Sequence, residues 1–357
     1  MDNNNNPVLE NIDIKHVRRV RYSGTHPKKF SEKYKELQPE KYATDVAKII
    51  QNGKTPAGMH ISIFVKEILD FLQIKPGQIG LDATLGYGGH TRKMLECLEG
   101  RGHLYAIDVD HIELEKTKKR LESLGYGPNI LTNKQLNFAN IDKVIEKDKK
   151  FDFVLADLGL SSMQIDNPER GFTFKYDGPL DLRLNPEEGI TATERLKELS
   201  EEEIKEMLVA NSDEPYARQI AHEIIKQIEN GLPITTTKQL SQIIADALMP
   251  IPFDDRKYET KKSCQRTFQA IRIDINKEYE VLKEFLDKLP QVLNKGGRVA
   301  ILSFHSGEDR LVKKSFKYFH NEGLYSEIAK DVIRPSAEEC YANPRAHSAK
   351  MRWAIKS

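Results

Sequence analysis

The chain has 357 residues, of which 39% are apolar and 31% charged. That is long enough for one large domain with an insert and apolar enough to bury a core. Its 55 Lys+Arg against 54 Asp+Glu leave a formal net charge of +1, which excludes binding nucleic acid by bulk attraction and leaves any such binding to local patches. Cys97, Cys264 and Cys340 stand far apart with no CxxC pair, so neither a disulfide framework nor a cysteine-built zinc site is expected. The start, MDNNNNPVLE, is polar and acidic where a signal peptide needs a basic and then apolar run. No apolar stretch approaches the ~20 residues of a membrane span. The expectation is a reduced cytoplasmic protein with no membrane association.

Residues 1–57 read as a basic N-terminal extension, in which Lys15, Arg18, Arg19, Arg21, Lys28, Lys29, Lys33 and Lys35 crowd a stretch of ~20 positions where only Glu32 opposes them. Such an arm is either a solvated charged tail or a segment lying on phosphate backbone. From Met59 the pattern alternates. Ile61, Phe64, Val65, Ile68, Leu69 and Leu72 predict an amphipathic helix closed by Lys75-Pro76-Gly77. Strands are expected at 79–85, 103–109, 130–132 and 151–158, with helices at 90–98, 112–124 and 141–146 between them. Near-continuous apolar strands alternating with helices mean a parallel sheet covered on both faces. After Gly159 the rhythm breaks. A Gly- and Pro-rich loop over 167–189 and helical patterns over 193–248 predict an inserted helical subdomain. One long helix over 267–293, the strand 298–304, a helix over 306–319 and a final edge strand over 351–355 complete the sheet. The expected divisions are 58–165 for the first part of the core, 166–264 for the insert and 265–357 for the second part.

Gly86, Gly88 and Gly89 form a turn between a strand and a helix, where a ligand can approach the backbone closely. The dinucleotide fingerprint G-x-G-x-x-G is incomplete, because Thr91 stands at its third glycine. Asp108, at the end of the second strand, suits either both hydroxyls of a ribose or a helix N-cap, for which Asp110 is the better candidate. The turn and carboxylate together favour a nucleoside ligand, and the missing glycine favours S-adenosylmethionine over a nicotinamide dinucleotide. In such a sheet the ligand lies at the carboxyl ends of the strands, which lines Asp82, Asp108 and Asp157 along one rim.

A set of segments in fixed order then gives a specific resemblance. These are DATLGYGGHT from Asp82, AIDVD from Ala106, NFANID from Asn137, LADLGLSSMQIDNPERGF from Leu155, DGPLDLRL from Asp177, CQRTFQAIRIDIN from Cys264, GGRVAILSFHSGEDRLVK from Gly296 and ANPRAHSAKMR from Ala342. The chain resembles the RsmH (MraW) family, S-adenosylmethionine-dependent methyltransferases acting on cytidine N4 of small-subunit ribosomal RNA. The resemblance implies a class I, Rossmann-like α/β fold with an inserted helical subdomain, and S-adenosylmethionine as cofactor. It implies 16S rRNA, the small ribosomal subunit or its assembly intermediate as partner, a decoding-region cytidine as target, and leaves room for a homodimer. Matched position by position, the family's cofactor contacts fall on Gly88, Gly89, His90, Asp108, Phe138, Asp157 and Gln164, to which the glycine turn adds Gly86.

Methyl transfer from a sulfonium needs alignment rather than a metal, and no metal-ligand cluster is expected here. Asp157 with Ser161 and Ser162 is the expected acceptor of the target amine, although Asp157 suits the cofactor equally. His305, after the fifth strand, is a candidate proton acceptor. Expected substrate contacts are Arg170, Asp181, Arg183, Arg266, Arg272, Asn276 and Ser303, with an Asp181–Arg183 salt bridge as a purely structural alternative for that pair. The chain departs from the family pattern at Tyr87, at Met163 where a proline is usual, and at Gly307 where a leucine is usual. The basic extension leaves room for a paralogue. Other readings are an amino-methyltransferase of another RNA or of DNA, a catalytically silent RNA-binding or assembly factor, and a nicotinamide dehydrogenase.

Overall fold

The computed structural model describes residues 62–357; the basic extension and the residues from Met59 to Ile61 lie outside the described residues. Helix α1 (Val65–Leu72) buries Ile68 and Leu72. The alternation that follows is β1 (Ile79–Asp82), α2 (Gly89–Leu98), β2 (His103–Asp108), α3 (His111–Ser123), β3 (Leu131–Gln135) and β4 (Phe151–Asp157). The expected helix at 141–146 is a 3₁₀ turn over Phe138–Lys143. A short helix, α4 (Ser162–Asp166), and a 3₁₀ turn over Pro168–Arg170 open the glycine-rich segment.

Five helices then follow without a strand: α5 (Ala192–Glu198), α6 (Glu201–Ser212), α7 (Ala217–Glu229), α8 (Thr237–Ala247) and α9 (Phe253–Ile275). After α10 (Glu278–Val292) the chain returns to the sheet through β5 (Leu293–Ser303), α11 (Ser306–Asn321), β6 (Tyr325–Ile328), α12 (Ala337–Ala342) and β7 (Lys350–Lys356). The seven strands lie in the order β3-β2-β1-β4-β5-β7-β6. β1 pairs parallel with β2 and β4, and β4 pairs parallel with β5. Winding therefore runs outward from β1 to β3 and then restarts at β4, so β1 and β4 flank the point where the order reverses. Ligands of open parallel sheets bind in the crevice at that point.

The sheet is covered on both faces. Leu95, Leu98, Leu114 and Leu121 from α2 and α3 pack with Leu104, Phe153 and Leu155 on one side. Leu282, Phe285, Leu289 and Phe316 from α10 and α11 pack with Leu81, Val154 and Ile301 on the other. The inserted helices bury a cluster of their own, including Leu196, Leu208, Ile220, Ile224, Leu240 and Phe268. No helix among the described residues is long and apolar enough to cross a membrane.

Three expectations need correction. The single helix over 267–293 is two helices, α9 and α10, parted where Lys277 takes a left-handed φ of 49°. Asn276 closes α9 by donating from Nδ2 to the Arg272 and Leu182 carbonyls (2.8 and 2.9 Å) and accepting the Leu184 N–H (2.7 Å). No proline or glycine marks the break; a tertiary bridge to the 182–184 loop makes it. Residue 264 is likewise no boundary, since α9 runs through it and Phe268, Ala270 and Ile271 belong to the insert's core. Finally, β7 is not an edge strand. It lies antiparallel between β5 and β6, and the short β6 takes the edge.

Candidate active site

A cleft of about 1270 Å³ opens at the carboxyl ends of β1, β2, β4 and β5, roofed by the 182–189 loop and the α9–α10 junction. It exceeds the roughly 300–1,000 Å³ of a pocket for one small ligand. At one end stands the glycine turn. Gly88 caps α2 with φ 78°, a conformation glycine adopts without strain. Helix α3 fixes the turn from behind: the Thr117 hydroxyl donates to the Gly86 carbonyl (2.6 Å) and Arg120 to the Tyr87 carbonyl (2.7 Å). Thr91, which breaks the dinucleotide fingerprint, donates its hydroxyl to the buried Asp82 carboxylate at 2.6 Å and so locks α2 onto β1.

Asp108 accepts the Gly86 N–H at Oδ2 (2.8 Å) and the Asp110 N–H at Oδ1 (2.9 Å). A carboxylate has about four lone-pair sites, so both oxygens keep capacity for a diol. Burial pushes its carboxyl up to about 6, against the pull of those two N–H groups. Phe138 lines the same wall, its ring edge-on to Phe285 at 5.1 Å.

Asp157 ends β4, held by its N–H to the Thr84 hydroxyl (2.7 Å). Its Oδ2 is 3.5 Å from Nε2 of buried His90, and neither Asp157 Oδ1 nor His90 Nε2 completes a hydrogen bond. Burial disfavours the charged form of His90, but the carboxylates of Asp157, Asp82 and Glu339 together outweigh it and raise the imidazole above its ordinary value. Ser161 caps α4 in a reciprocal box with Gln164. Across the cleft, Arg272 holds Glu278 through two contacts (2.7 and 2.9 Å), and His305 Nε2 lies 3.1 Å from Glu308 Oε1. Glu278, His305 and Glu308 offer ligand atoms within 4.8 Å of one another, but the Arg272 guanidinium already supplies the compensating positive charge.

A glycine turn, a carboxylate with free lone pairs beside it and an orphaned carboxylate oxygen thus share one cleft with room for more than one small molecule. The sequence profile of the MraW methylase family matches residues 57–357. The chain belongs to the MraW methylase family. It is 66% identical to ribosomal RNA small subunit methyltransferase H 1 of Lachnoclostridium phytofermentans, covering 99% of this chain and 98% of that one. It is 65% identical to ribosomal RNA small subunit methyltransferase H 2 of Alkaliphilus metalliredigens, with 98% and 100% covered. Ribosomal RNA small subunit methyltransferase H of Caldicellulosiruptor saccharolyticus is 38% identical, with 83% of this chain and 99% of that one covered.

In this MraW-family chain the cleft brings together Gly86, Gly88, Gly89, His90, Asp108, Phe138, Asp157, Ser161, Ser162, Gln164, Arg183, Arg272, Asn276 and His305. Arg170, Asp181, Arg266 and Ser303 are not among its lining residues. Ser303 is buried within β5. Arg170 is buried against Asp110 (2.5 Å) and the Arg183 and Leu184 carbonyls, which makes it a structural cation rather than a substrate contact. Arg266 faces Glu214 at 3.8 Å inside the insert. Asp181 grips Arg183 through Nε and Nη2 (2.7 and 2.8 Å), so the structural alternative for that pair describes the geometry. Arg266 and Arg272 lie in the closing half of α9, and Asn276 is its C-cap.

Three parts of the site escaped the sequence reading. Glu278 sits six positions after Arg272, a spacing with no meaning on one continuous helix. Thr84 has no local signal. Asp110, read only as a cap, also accepts Gln164 Nε2 (2.8 Å) and Arg170, tying α3 to α4 and the 170–184 loop.

Proposed function

We propose that this chain is a ribosomal RNA small-subunit methyltransferase that uses S-adenosylmethionine, and that its target is the exocyclic N4 amine of a decoding-region cytidine in 16S rRNA. The single observation that carries the reading is the pairing in one cleft of Asp108, beside a glycine turn, with the orphaned Asp157 Oδ1. The names of the relatives support the ribosomal substrate, and the segments shared with the RsmH family support the cytidine amine.

When bound, S-adenosylmethionine supplies an electrophilic methyl on a sulfonium centre. The residues present fit it: the Gly86–Gly89 backbone admits a close ligand, Asp108 accepts ribose hydroxyls, and Phe138 offers an apolar wall. Asp157 Oδ1 accepts an N–H of the target amine and so favours the form whose nitrogen lone pair is free to attack. Holding amine and methyl in line contributes about 7–11 kcal/mol to lowering the barrier. A paired base cannot present its amine to such a cleft, so the cytidine enters unstacked or flipped out.

The test is mass spectrometry of 16S rRNA fragments from cells with and without the gene, and from subunits treated with purified enzyme. N4-methylcytidine that disappears on deletion and returns on treatment is the expected result. A methyl on another atom, or none, would reject the reading. Asp157→Ala should abolish the product; full activity with normal S-adenosylhomocysteine affinity would remove Asp157 from both of its roles.

A further inference from the structure

The strand order gives the cleft two ends. Asp108 closes β2, Asp157 closes β4 two places along, and His305 follows β5, one strand beyond. His305 therefore stands on the side of Asp157 away from the ribose carboxylate, where the amine acceptor of the proposed reaction must lie. Its side chain is only 12% exposed, and neither Nδ1 nor Nε2 completes a hydrogen bond, although Nε2 lies within ion-pair distance of Glu308.

The surroundings of this imidazole are built. Glu308 is buried, and its Oε2 accepts the Phe304 N–H at 2.9 Å, which leaves Oε1 facing His305 Nε2 at 3.1 Å. Burial alone would raise the Glu308 carboxyl, yet His305, the Phe304 N–H and Arg272 together hold it below the usual range, so it remains a carboxylate. From the other side, the Tyr279 ring lies 6.0 Å from the imidazole, with its hydroxyl donating to the Asn211 carbonyl of α6 (3.2 Å). A Cβ at Gly307 would fall 2.0 Å from that hydroxyl, so the absent side chain at 307 is what admits Tyr279. The charged and titratable groups facing His305 are thus Glu308 on its own helix, and Arg272, Glu278 and Tyr279 at the α9–α10 junction. Arg272 pairs with Glu278 and also attracts Glu308, and of these groups Glu308 is the carboxylate within ion-pair distance of the ring.

We propose that His305 is the proton acceptor of the methyl transfer and that Glu308 is its positioning residue. The proposal rests on the amine acceptor proposed above. The amine nitrogen's lone pair forms a bond to the transferred methyl carbon as the carbon–sulfur bond breaks, and that electron pair stays on sulfur. The nitrogen, now cationic, releases one N–H proton to the lone pair of His305 Nδ1. Glu308 keeps the other ring proton on Nε2, so the lone pair is presented at Nδ1, and it stabilises the imidazolium that forms.

The experiment uses full-length enzyme with the small-subunit rRNA substrate, in single turnover across pH 5.5–9, together with ¹⁵N-histidine spectra of the free protein. His305→Gln should slow methyl transfer about 100-fold or more, in line with the roughly 10²–10⁴ of general-base catalysis, and flatten the pH profile. It should leave S-adenosylhomocysteine affinity and KM for RNA within about twofold of wild type. Glu308→Gln keeps the Phe304 contact. It should cost about tenfold, move the pH profile and abolish the Nε2–H preference of His305. A His305→Gln enzyme within threefold of wild type and with an unchanged profile, while wild type makes N4-methylcytidine, would overturn the dyad and leave the proposed function standing. Wild-type product methylated on a ring carbon or a sugar oxygen would overturn both.

Discussion

In the proposed function Asp108 serves a ribose only while it is ionised, and the fold works against that. Burial behind the glycine turn lifts its carboxyl to about 6, and two N–H groups offset only part of the rise. Hydroxyl donors bind the carboxylate better than the protonated acid, so affinity for S-adenosylhomocysteine falls as pH drops through that value. The expected signature in calorimetric titration is a Kd rising about tenfold per pH unit below the midpoint. Asp108→Asn should bind weakly and show no such slope. Gly307 gives a second test at this scale. Gly307→Ala sets a methyl against the Tyr279 hydroxyl, and overpacking of that kind typically costs about 1–3 kcal/mol. A double-mutant cycle with Tyr279→Leu, read by urea unfolding, should recover most of the loss.

The elements around the cleft are held by a few polar side chains that span long sequence separations. Asp110 caps α3 while it also holds Gln164 of α4 and the buried Arg170 guanidinium. Asp110→Ala would leave Arg170 buried with only two carbonyl acceptors. Breaking a buried pair this way costs about 3–5 kcal/mol, and urea denaturation should show it; a loss under about 1 kcal/mol would mean water reaches the guanidinium. Asn276 plays a similar part between α9 and the 182–184 loop. Asn276→Ala should speed hydrogen exchange at Leu184 without changing exchange in β1 or β4. Legibility divides along the same line. The helices α2, α3, α7 and α8 were readable because their buried residues recur every three or four positions. The α9–α10 break was not, because a lysine in the left-handed region and an asparagine bridging to a loop leave no breaker in the local pattern. The short β6 was missed for a related reason: with a YSEI sequence and one buried residue it has no apolar signature of its own.

The whole molecule is a doubly covered sheet carrying a helical insert with a separate apolar cluster. The cleft lies where the two meet, between strand ends held by the sheet and a loop roof fixed by a few hydrogen bonds. Binding of S-adenosylhomocysteine should therefore slow amide exchange at 86–89 and 157–164, the strand-end segments, and leave α7 and α8 untouched. Equal protection of α7 and α8 would mean the two cores unfold as one unit.

Composition, periodicity and ordered motifs determined by themselves the alternating α/β class, the insert between the fourth and fifth strands, the glycine turn and the carboxylates at 108 and 157. Each of these is encoded over a few residues, in backbone preference or in the spacing of apolar side chains. Only the tertiary structure decided which polar groups are spent on the fold and which are left to act. Arg170 and the Asp181–Arg183 pair satisfy partners within the protein, whereas His305 meets Glu308 beside an Arg272–Glu278 pair that crosses a helix break. Such pairings depend on how separate elements pack, and a buried charge is free or consumed according to neighbours the chain brings from far away.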